Sequence, residues 1–129
     1  MNYELSNIYE RENTILIKSY AFSKRTVLLY KLLIKNKHPR SLADQILRCG
    51  TSVGANVEEA IGGFSRRDFT AKCGIAYEEA RESHYWLRLL RDTECLEPRL
   101  AESLINDADE LKRILAAIII SSRELKSEK

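Results

Sequence analysis

The sequence predicts an all-α protein, an up-down-up-down antiparallel four-helix bundle, and three observations point to it. Apolar residues recur every three or four positions along four separate segments, which is the period of a helix with one buried face. Glycine, proline and capping residues separate these segments by short breaks. No segment shows the alternating apolar and polar pattern of a strand. Four such helices joined by short loops can form one bundle domain spanning residues 1–129.

The first helix is predicted over about residues 14–36 and the second over about residues 42–61. The stripe of the first is Ile15, Ser19, Phe22, Thr26, Leu29 and Leu33. Pro39 then prevents easy continuation. Ser41 with Asp44 three residues later resembles a capping box, so the second helix should begin there. Its stripe is Leu42, Ile46, Cys49, Val53, Val57 and Ala60.

The third helix is predicted over about residues 66–92 and the fourth over about residues 98–123, with flexible ends at 1–12 and 124–129. Gly62 and Gly63 should end the second helix, and Ser65 with Asp68 repeats the capping pattern. The third stripe is Phe69, Cys73, Ala76, Ala80, Ser83, Leu87 and Leu90. Pro98 suits a first helical turn. The fourth stripe is Leu100, Leu104, Ala108, Leu111, Leu115, Ile118 and Leu125.

Two glycines fall inside the second helix, in the stretch CGTSVGANVEEA, where each costs about 1 kcal/mol relative to alanine. Gly50 and Gly54 lie one turn apart beside the apolar stripe, so we expect them to allow close packing of a neighbouring helix. The opposite flank is polar, and we expect it to form an internal, hydrogen-bonded structural cluster with carboxylates of the third helix. Its members are Arg48, Ser52, Asn56, Glu59, Glu79 and Glu82.

The composition is that of a globular protein and indicates neither a membrane protein nor a disulfide-rich one. Of 129 residues, 44% are hydrophobic and 31% are charged, which is typical of a globular chain, and no leader or membrane span is indicated. We therefore expect a cytoplasmic protein. Three widely spaced cysteines indicate neither a disulfide framework nor a zinc site and are interpreted as buried structural thiols.

Two motifs of metal and phosphate chemistry are lacking in the sequence. It contains no Glu-x-x-His pair for a carboxylate-bridged metal centre and no phosphate-binding glycine loop. An all-carboxylate magnesium site built from Glu59, Glu79 and Glu82 is the alternative left open, against pairing of these side chains with Arg48 or Lys72. We predict no catalytic residue, no metal and no cofactor.

Positive charge is concentrated in the first third of the chain. The net charge is +2, yet residues 1–40 carry eight Lys or Arg against three Asp or Glu. Candidate nucleic-acid-binding residues on one edge of helix one, in the first loop and at the start of helix three are Lys24, Lys31, Lys35, Lys37, Arg40, Arg66 and Arg67. Solvated helix faces are the alternative, and the sequence leaves open whether packing brings these groups together.

Helices one and four are apolar over a wider face than a monomer needs, which favours self-association over a wider intramolecular core. The candidate oligomer contacts are Leu16, Tyr20, Val27, Ile34, Ile105, Ala116 and Ile119.

Much of the chain, about residues 13–120, resembles the four-helix-bundle proteins related to those encoded within intervening sequences of bacterial 23S ribosomal RNA genes. The resemblance is carried by RCGTSVGANVEEA and FSRRDFTAKCGIAYEEARESHYWLRLL. The most specific positions are Arg48, Ser52, Gly54, Ala55, Asn56, Glu59, Ser65, Phe69, Ala76, Glu82 and Trp86. Ala60 stands where many relatives have glycine.

The resemblance implies a bundle that assembles as a homopentameric ring without catalytic activity, and a role with RNA. The accessory variability protein of diversity-generating retroelements, a more basic pentamer that partners a reverse transcriptase, is also similar to this family. Two main hypotheses follow: a non-catalytic oligomer that binds nucleic acid, RNA before DNA, and a scaffold that docks a partner enzyme. A carboxylate-metal enzyme is a third.

Overall fold

Four helices make up the fold: α1 (Tyr3–Lys35), α2 (Arg40–Ile61), α3 (Arg66–Asp92) and α4 (Pro98–Ser127). The computed structural model describes the backbone of residues 3–127 and the side chains of residues 9–124, and it contains no strand within that range. Helix α1 packs on α2, α2 on α3, α3 on α4 and α4 on α1. The helices thus enclose one core, and the predicted all-α four-helix class is confirmed.

The core is built from the four predicted stripes. Ile15, Phe22 and Leu33 of α1 are each 1% exposed, and every position of the predicted α3 stripe is buried. Polar stripe members are buried because their hydroxyls bond to the preceding turn: Thr26 Oγ1 donates to the Phe22 carbonyl at 3.2 Å, and Ser83 Oγ donates to the Glu79 carbonyl at 2.8 Å. Leu125, the last predicted stripe residue, lies outside the described side chains.

Helix α2 approaches α1 closely at its two glycines. A Cβ added to Gly50 would lie 2.3 Å from Cγ2 of Thr26, and one added to Gly54 would lie 3.2 Å from the Ser19 carbonyl oxygen. Both distances are shorter than ordinary carbon contacts, so a side chain at either position would force the helices apart. The propensity cost of these glycines is therefore accompanied by close packing, against the Thr26 side chain at Gly50 and against the Ser19 backbone at Gly54.

Helix starts follow the predicted capping residues in part. Ser65 Oγ accepts a hydrogen bond from the Asp68 amide at 3.1 Å, as predicted. The prediction for Ser41 is wrong: α2 begins at Arg40 after an N-cap Pro39 that makes no side-chain cap, so Ser41 lies inside the first turn. At α4, Glu97 caps the helix instead of a hydroxyl, because its carboxylate accepts from the amides of Arg99 and Leu100, each at 3.1 Å.

Helix α1 starts at Tyr3 rather than near residue 14, so the prediction that residues 1–12 lie outside the helix is wrong from Tyr3 onward. The added turns contact the rest of the bundle, since Arg11 Nη1 donates to Ser121 Oγ at 2.9 Å. Because these turns are held by polar contacts, their residues show no apolar periodicity. The apolar pattern therefore did not predict that the helix extends this far. Helix α4 likewise continues to Ser127.

Candidate nucleic-acid interface

Three of the predicted basic residues lie along one edge of α1. Lys24, Lys31 and Lys35 are all exposed, and at about 100° per residue their directions agree within about 40°. No carboxylate of residues 9–124 lies within ion-pair distance of them. Lys24 Nζ lies 5.2 Å from the centre of the Tyr20 ring, a cation–π contact at the surface.

Two more exposed cations follow α1 in the chain, Lys37 in the first loop and Arg40 as the first residue of α2. Lys37 adopts a left-handed backbone conformation with φ of 60°, which ends α1 and turns the chain into α2. Neither side chain forms an ion pair with any described carboxylate. We call the five residues Lys24, Lys31, Lys35, Lys37 and Arg40 the α1 basic strip.

The opposite edge of α1 is neutralised by α4. Lys18 pairs with Glu110 at 3.1 Å, and Arg25 pairs with Asp107 at 2.5 Å. The α1 basic strip therefore holds five of the eight cations of residues 1–40, and the remaining one, Arg11, donates a hydrogen bond to Ser121.

Arg66 and Arg67 lie elsewhere, at the start of α3. Arg66 Nη1 is 3.9 Å from Glu12 Oε1, and its guanidinium lies 4.9 Å from the centre of the Phe69 ring. From Glu12 to Lys35, α1 rises about 35 Å at about 1.5 Å per residue. The structure therefore separates the seven predicted basic residues into the α1 basic strip and a second, smaller group.

The polar flank of α2 is hydrogen-bonded, but the prediction that it is internal is wrong for Arg48 and Glu59. The other members are partly buried: Ser52, Asn56, Glu79 and Glu82. Arg48 pairs with Glu82 and lies 3.3 Å from Glu79, while Lys72 pairs with Glu59 at 2.8 Å. The side chains of Arg48 and Glu59 are 49% and 61% exposed.

Two further members of this flank bond along α2 itself. Ser52 Oγ donates to the Arg48 carbonyl at 2.7 Å, and Asn56 Nδ2 donates to the Ser52 carbonyl at 2.8 Å. Because such bonds satisfy the polar groups within one helix, this flank links α2 to α3 only through its ion pairs.

The carboxylates considered for magnesium are occupied by cations in these ion pairs. Within the described part of the chain, no group of three or more His, Cys, Asp or Glu side chains is arranged to hold a metal ion. Burial raises the pKa of Cys49 and of Cys73 to about 11, so both thiols stay protonated near neutral pH.

His84 is a packing histidine rather than a surface cation. Burial lowers the pKa of His84 below its usual range, although Asp109 Oδ1 lies 3.3 Å from its Nε2 and acts in the opposite direction. The imidazole is therefore mostly neutral at pH 7 and adds little to the positive surface.

The predicted oligomer contacts divide between surface and core. Tyr20 and Val27 are exposed, whereas Leu16, Ile34 and Ile119 are partly buried against the core of the same chain and Ala116 is partly buried. Ile105 is wrongly predicted as a contact: it is 8% exposed because it joins the intramolecular core. The exposed residues Ile17 and Leu28, each 64% exposed, were missed.

Lysines and apolar side chains share the outward face of α1. Ile17, Tyr20, Lys24, Leu28 and Lys31 follow one another at intervals of three or four, so they form one line along the helix. The spacing was present in the sequence, but separate searches for cations and for apolar stripes did not show that the two sets coincide.

Phe64 is a second feature that sequence reasoning missed. It lies in the α2–α3 loop between Gly63 and Ser65, and its side chain is fully exposed. A single apolar residue in a loop carries no periodicity, so no pattern marked it.

The fold and these sites can be compared with known proteins. Residues 11–117 match the family of 23S rRNA-intervening sequence proteins. The chain belongs to this family. The matched range includes α2 and α3 in full and most of α1 and α4, so the expected family is confirmed over most of the bundle.

The crystal structure of a similar protein supports the fold. It is a protein of unknown function from the S23 ribosomal protein family of Bacteroides thetaiotaomicron, 44% identical in sequence with a TM-score of 0.81. The similarity covers 84% of this chain and 97% of that one. The search of curated proteins found no match.

Over the described residues, no helix combines the length and apolar character that crossing a bilayer requires.

Proposed function

We propose that this 23S rRNA-intervening sequence protein is a non-catalytic RNA-binding protein that contacts phosphates through the α1 basic strip. The observation that carries the proposal is the lack of described carboxylate partners for all five cations, while Lys18 and Arg25 on the same helix are paired. When lysine and arginine side chains contact phosphates, the counterions condensed on the nucleic acid are released. This release is the main source of sequence-independent affinity for nucleic acid. The family's name favours RNA over DNA.

Assembly is the second part of the proposal. The contacts of Arg11 with Ser121 and of Arg25 with Asp107 support an antiparallel α1–α4 pair, as expected in an up-down-up-down bundle. Exposed apolar residues on α1 support self-association, and a homopentameric ring is the state we propose. A ring repeats the α1 basic strip in each copy, so several strips can contact one RNA at the same time. A cytoplasmic location remains a prediction.

The test is fluorescence anisotropy with a structured RNA hairpin over a series of salt concentrations. We expect wild-type affinity to fall steeply with salt. The triple variant Lys31→Ala, Lys35→Ala, Lys37→Ala should bind at least about tenfold more weakly, with a shallower salt dependence. The matched control, Arg99→Ala, Arg113→Ala, Arg123→Ala, removes three exposed cations from α4 and should bind within about twofold of wild type.

Two results would contradict the proposal: no binding of the wild type to the hairpin at low salt, or equal losses in the two triple variants. The second would show that net charge, and not the α1 basic strip, determines affinity.

An alternative is a scaffold that docks a partner enzyme, such as a reverse transcriptase. The observation that favours it is apolar: a groove of about 170 Å³ between α1 and α4 is lined by Leu28, Leu29, Leu32, Leu100 and Leu104, with Arg25 at its edge. Purification after nuclease treatment separates the two functions. One stoichiometric protein, lost in a Leu28→Glu variant, would favour the scaffold, whereas recovery of nucleic acid alone without nuclease would favour RNA binding.

A further inference from the structure

The α2–α3 loop presents an aromatic ring to solvent. Phe64 is 102% exposed, although phenylalanine is one of the side chains whose burial most stabilises a protein. Its neighbours are ordered: Gly62 ends α2, and Ser65 caps α3 through the Asp68 amide. The ring is therefore held outside the core by a loop that is fixed at both ends.

A groove of about 420 Å³ lies beside this ring. Its walls include Glu12, Ile61, Phe64, Arg66 and Phe69. Arg66 lies with its guanidinium 4.9 Å from the Phe69 ring centre and 3.9 Å from Glu12. The volume is within the range of clefts that hold small ligands, and planar groups line it.

Arg67, the residue after Arg66 in the first turn of α3, is a further cation near the groove in sequence. It is exposed, and no carboxylate among residues 9–124 lies within ion-pair distance of it. Arginine contacts phosphate oxygens through two parallel N–H groups, which a free guanidinium can offer without breaking an existing pair.

We propose that the Phe64 loop holds an unpaired base of single-stranded RNA, stacked on the Phe64 ring, with Arg67 contacting an adjacent phosphate. This inference rests on the proposed RNA-binding function and adds the chemical form of RNA that is recognised. Aromatic side chains stack on any base, whereas a base inside a duplex is covered on both faces and cannot reach the ring.

The groove fits a base better than it fits a lipid surface or an apolar peptide. Glu12 places a carboxylate in the wall, and a carboxylate accepts a hydrogen bond from the exocyclic amine of a base. Only one apolar side chain of the loop, Phe64, is fully exposed, which is little area for insertion into a bilayer.

The Phe64 loop and the α1 basic strip are separate sites. By helical rise, Glu12 beside the Phe64 loop lies about 18 Å along α1 from Lys24, the nearest member of the strip, and about 35 Å from Lys35. A variant of one site therefore leaves the other intact, and the two proposals can fail independently.

The experiment measures binding of the full chain to two labelled RNAs, a single-stranded oligoadenylate carrying 2-aminopurine and a blunt duplex of equal length. Phe64→Ala should weaken binding to the single strand about tenfold and change binding to the duplex less than about twofold. Phe64→Trp should restore the affinity and quench 2-aminopurine. The control is Tyr9→Ala, which removes another exposed aromatic, 75% exposed, and should match wild type.

Three other results would each overturn the base-stacking site, and they differ in what they say about RNA binding. If Phe64→Ala binds the single strand as wild type does while the triple lysine variant is impaired, the base-stacking site is wrong and the RNA function stands. If wild type binds neither RNA, the proposed function fails and this inference fails with it. If Phe64→Ala abolishes co-sedimentation with phosphatidylserine vesicles and leaves RNA binding unchanged, the loop is a membrane contact and the inference is overturned.

Discussion

Two residues other than glycine close helix ends in the left-handed conformation. Lys37 has φ of 60°, and Glu94, just after α3, has φ of 63°. At Glu94 the amide donates to the Arg91 carbonyl at 3.1 Å, and the Cys95 amide donates to the Leu90 carbonyl at 2.8 Å. This is the Schellman pair of hydrogen bonds, in which glycine is the common residue because a Cβ is strained there. The bundle carries this strain at both of these turns.

Replacing Glu94 by glycine should therefore stabilise the protein. Removing the Cβ relieves about 1 kcal/mol of left-handed strain, partly offset by the greater freedom of glycine in the unfolded chain. We expect a rise in Tm of about 2 to 4 °C in thermal unfolding followed by circular dichroism. Glu94→Ala keeps the strain and removes the same charge, so an equal rise in both variants would show that charge, and not backbone conformation, is responsible.

At the scale of helices, the glycines of this chain have opposite roles. Gly50 lies against Thr26 of α1 with no room for a Cβ, whereas a Cβ at Gly74 of α3 would meet nothing within 4 Å in a single copy. The residue type is the same, so only the packing between helices distinguishes the two positions.

This contrast predicts opposite changes in stability. Gly50→Ala should lower the free energy of unfolding by about 1 to 3 kcal/mol, because α1 and α2 must separate or Thr26 must move. Gly74→Ala should raise it by about 0.5 to 1 kcal/mol through helix propensity alone. Urea unfolding of the two variants measures both values. Stabilisation by Gly50→Ala would contradict the close contact between α1 and α2.

The sequence predicted the helices well where burial imposes a period. Every residue of the α3 stripe is buried because only one face of α3 meets α2 and α4, and that face must repeat every 3.6 residues. The ends of the helices were harder to predict, because a single capping interaction decides at which residue each helix begins. Ser65 caps as its type suggests, but Pro39 displaces Ser41 from the capping position, and Glu97 caps α4 although glutamate is an uncommon choice.

The candidate site depended more on tertiary structure. The shared edge of Lys24, Lys31 and Lys35 follows from helical angles alone. The separation of Arg66 from this edge cannot be derived from helical angles, because it depends on which part of α1 lies beside the start of α3. Ile105 fits an apolar stripe equally well whether the core of its own chain or a second copy covers it, so periodicity could not assign it to the core.

For the whole molecule, the central feature is that α1 presents cations and apolar groups on one face. If copies associate through Ile17, Tyr20 and Leu28, each Lys24 and Lys31 lies beside the neighbouring copy. Cations at the edge of an interface repel one another across it, and an RNA phosphate backbone between them relieves that repulsion. Assembly and RNA binding are then coupled, and RNA should stabilise the ring.

The coupled model predicts the behaviour of a double variant, Ile17→Glu with Leu28→Glu. Both side chains are exposed in a single copy, so the variant should fold with an unchanged helical spectrum but sediment as a monomer, whereas we expect wild type to sediment as the proposed pentamer. Its affinity for the RNA hairpin should fall by at least about tenfold, because simultaneous contacts from several copies are lost. Analytical ultracentrifugation with and without RNA measures the assembly.

Ile75→Glu is the control for this prediction, since it adds a carboxylate at an exposed apolar position of α3 and should leave both assembly and binding unchanged. A wild-type monomer at micromolar concentration would contradict the ring. A double variant that remains a pentamer would show instead that the ring forms through another face, and the apolar residues of α1 would then be free to dock a partner protein.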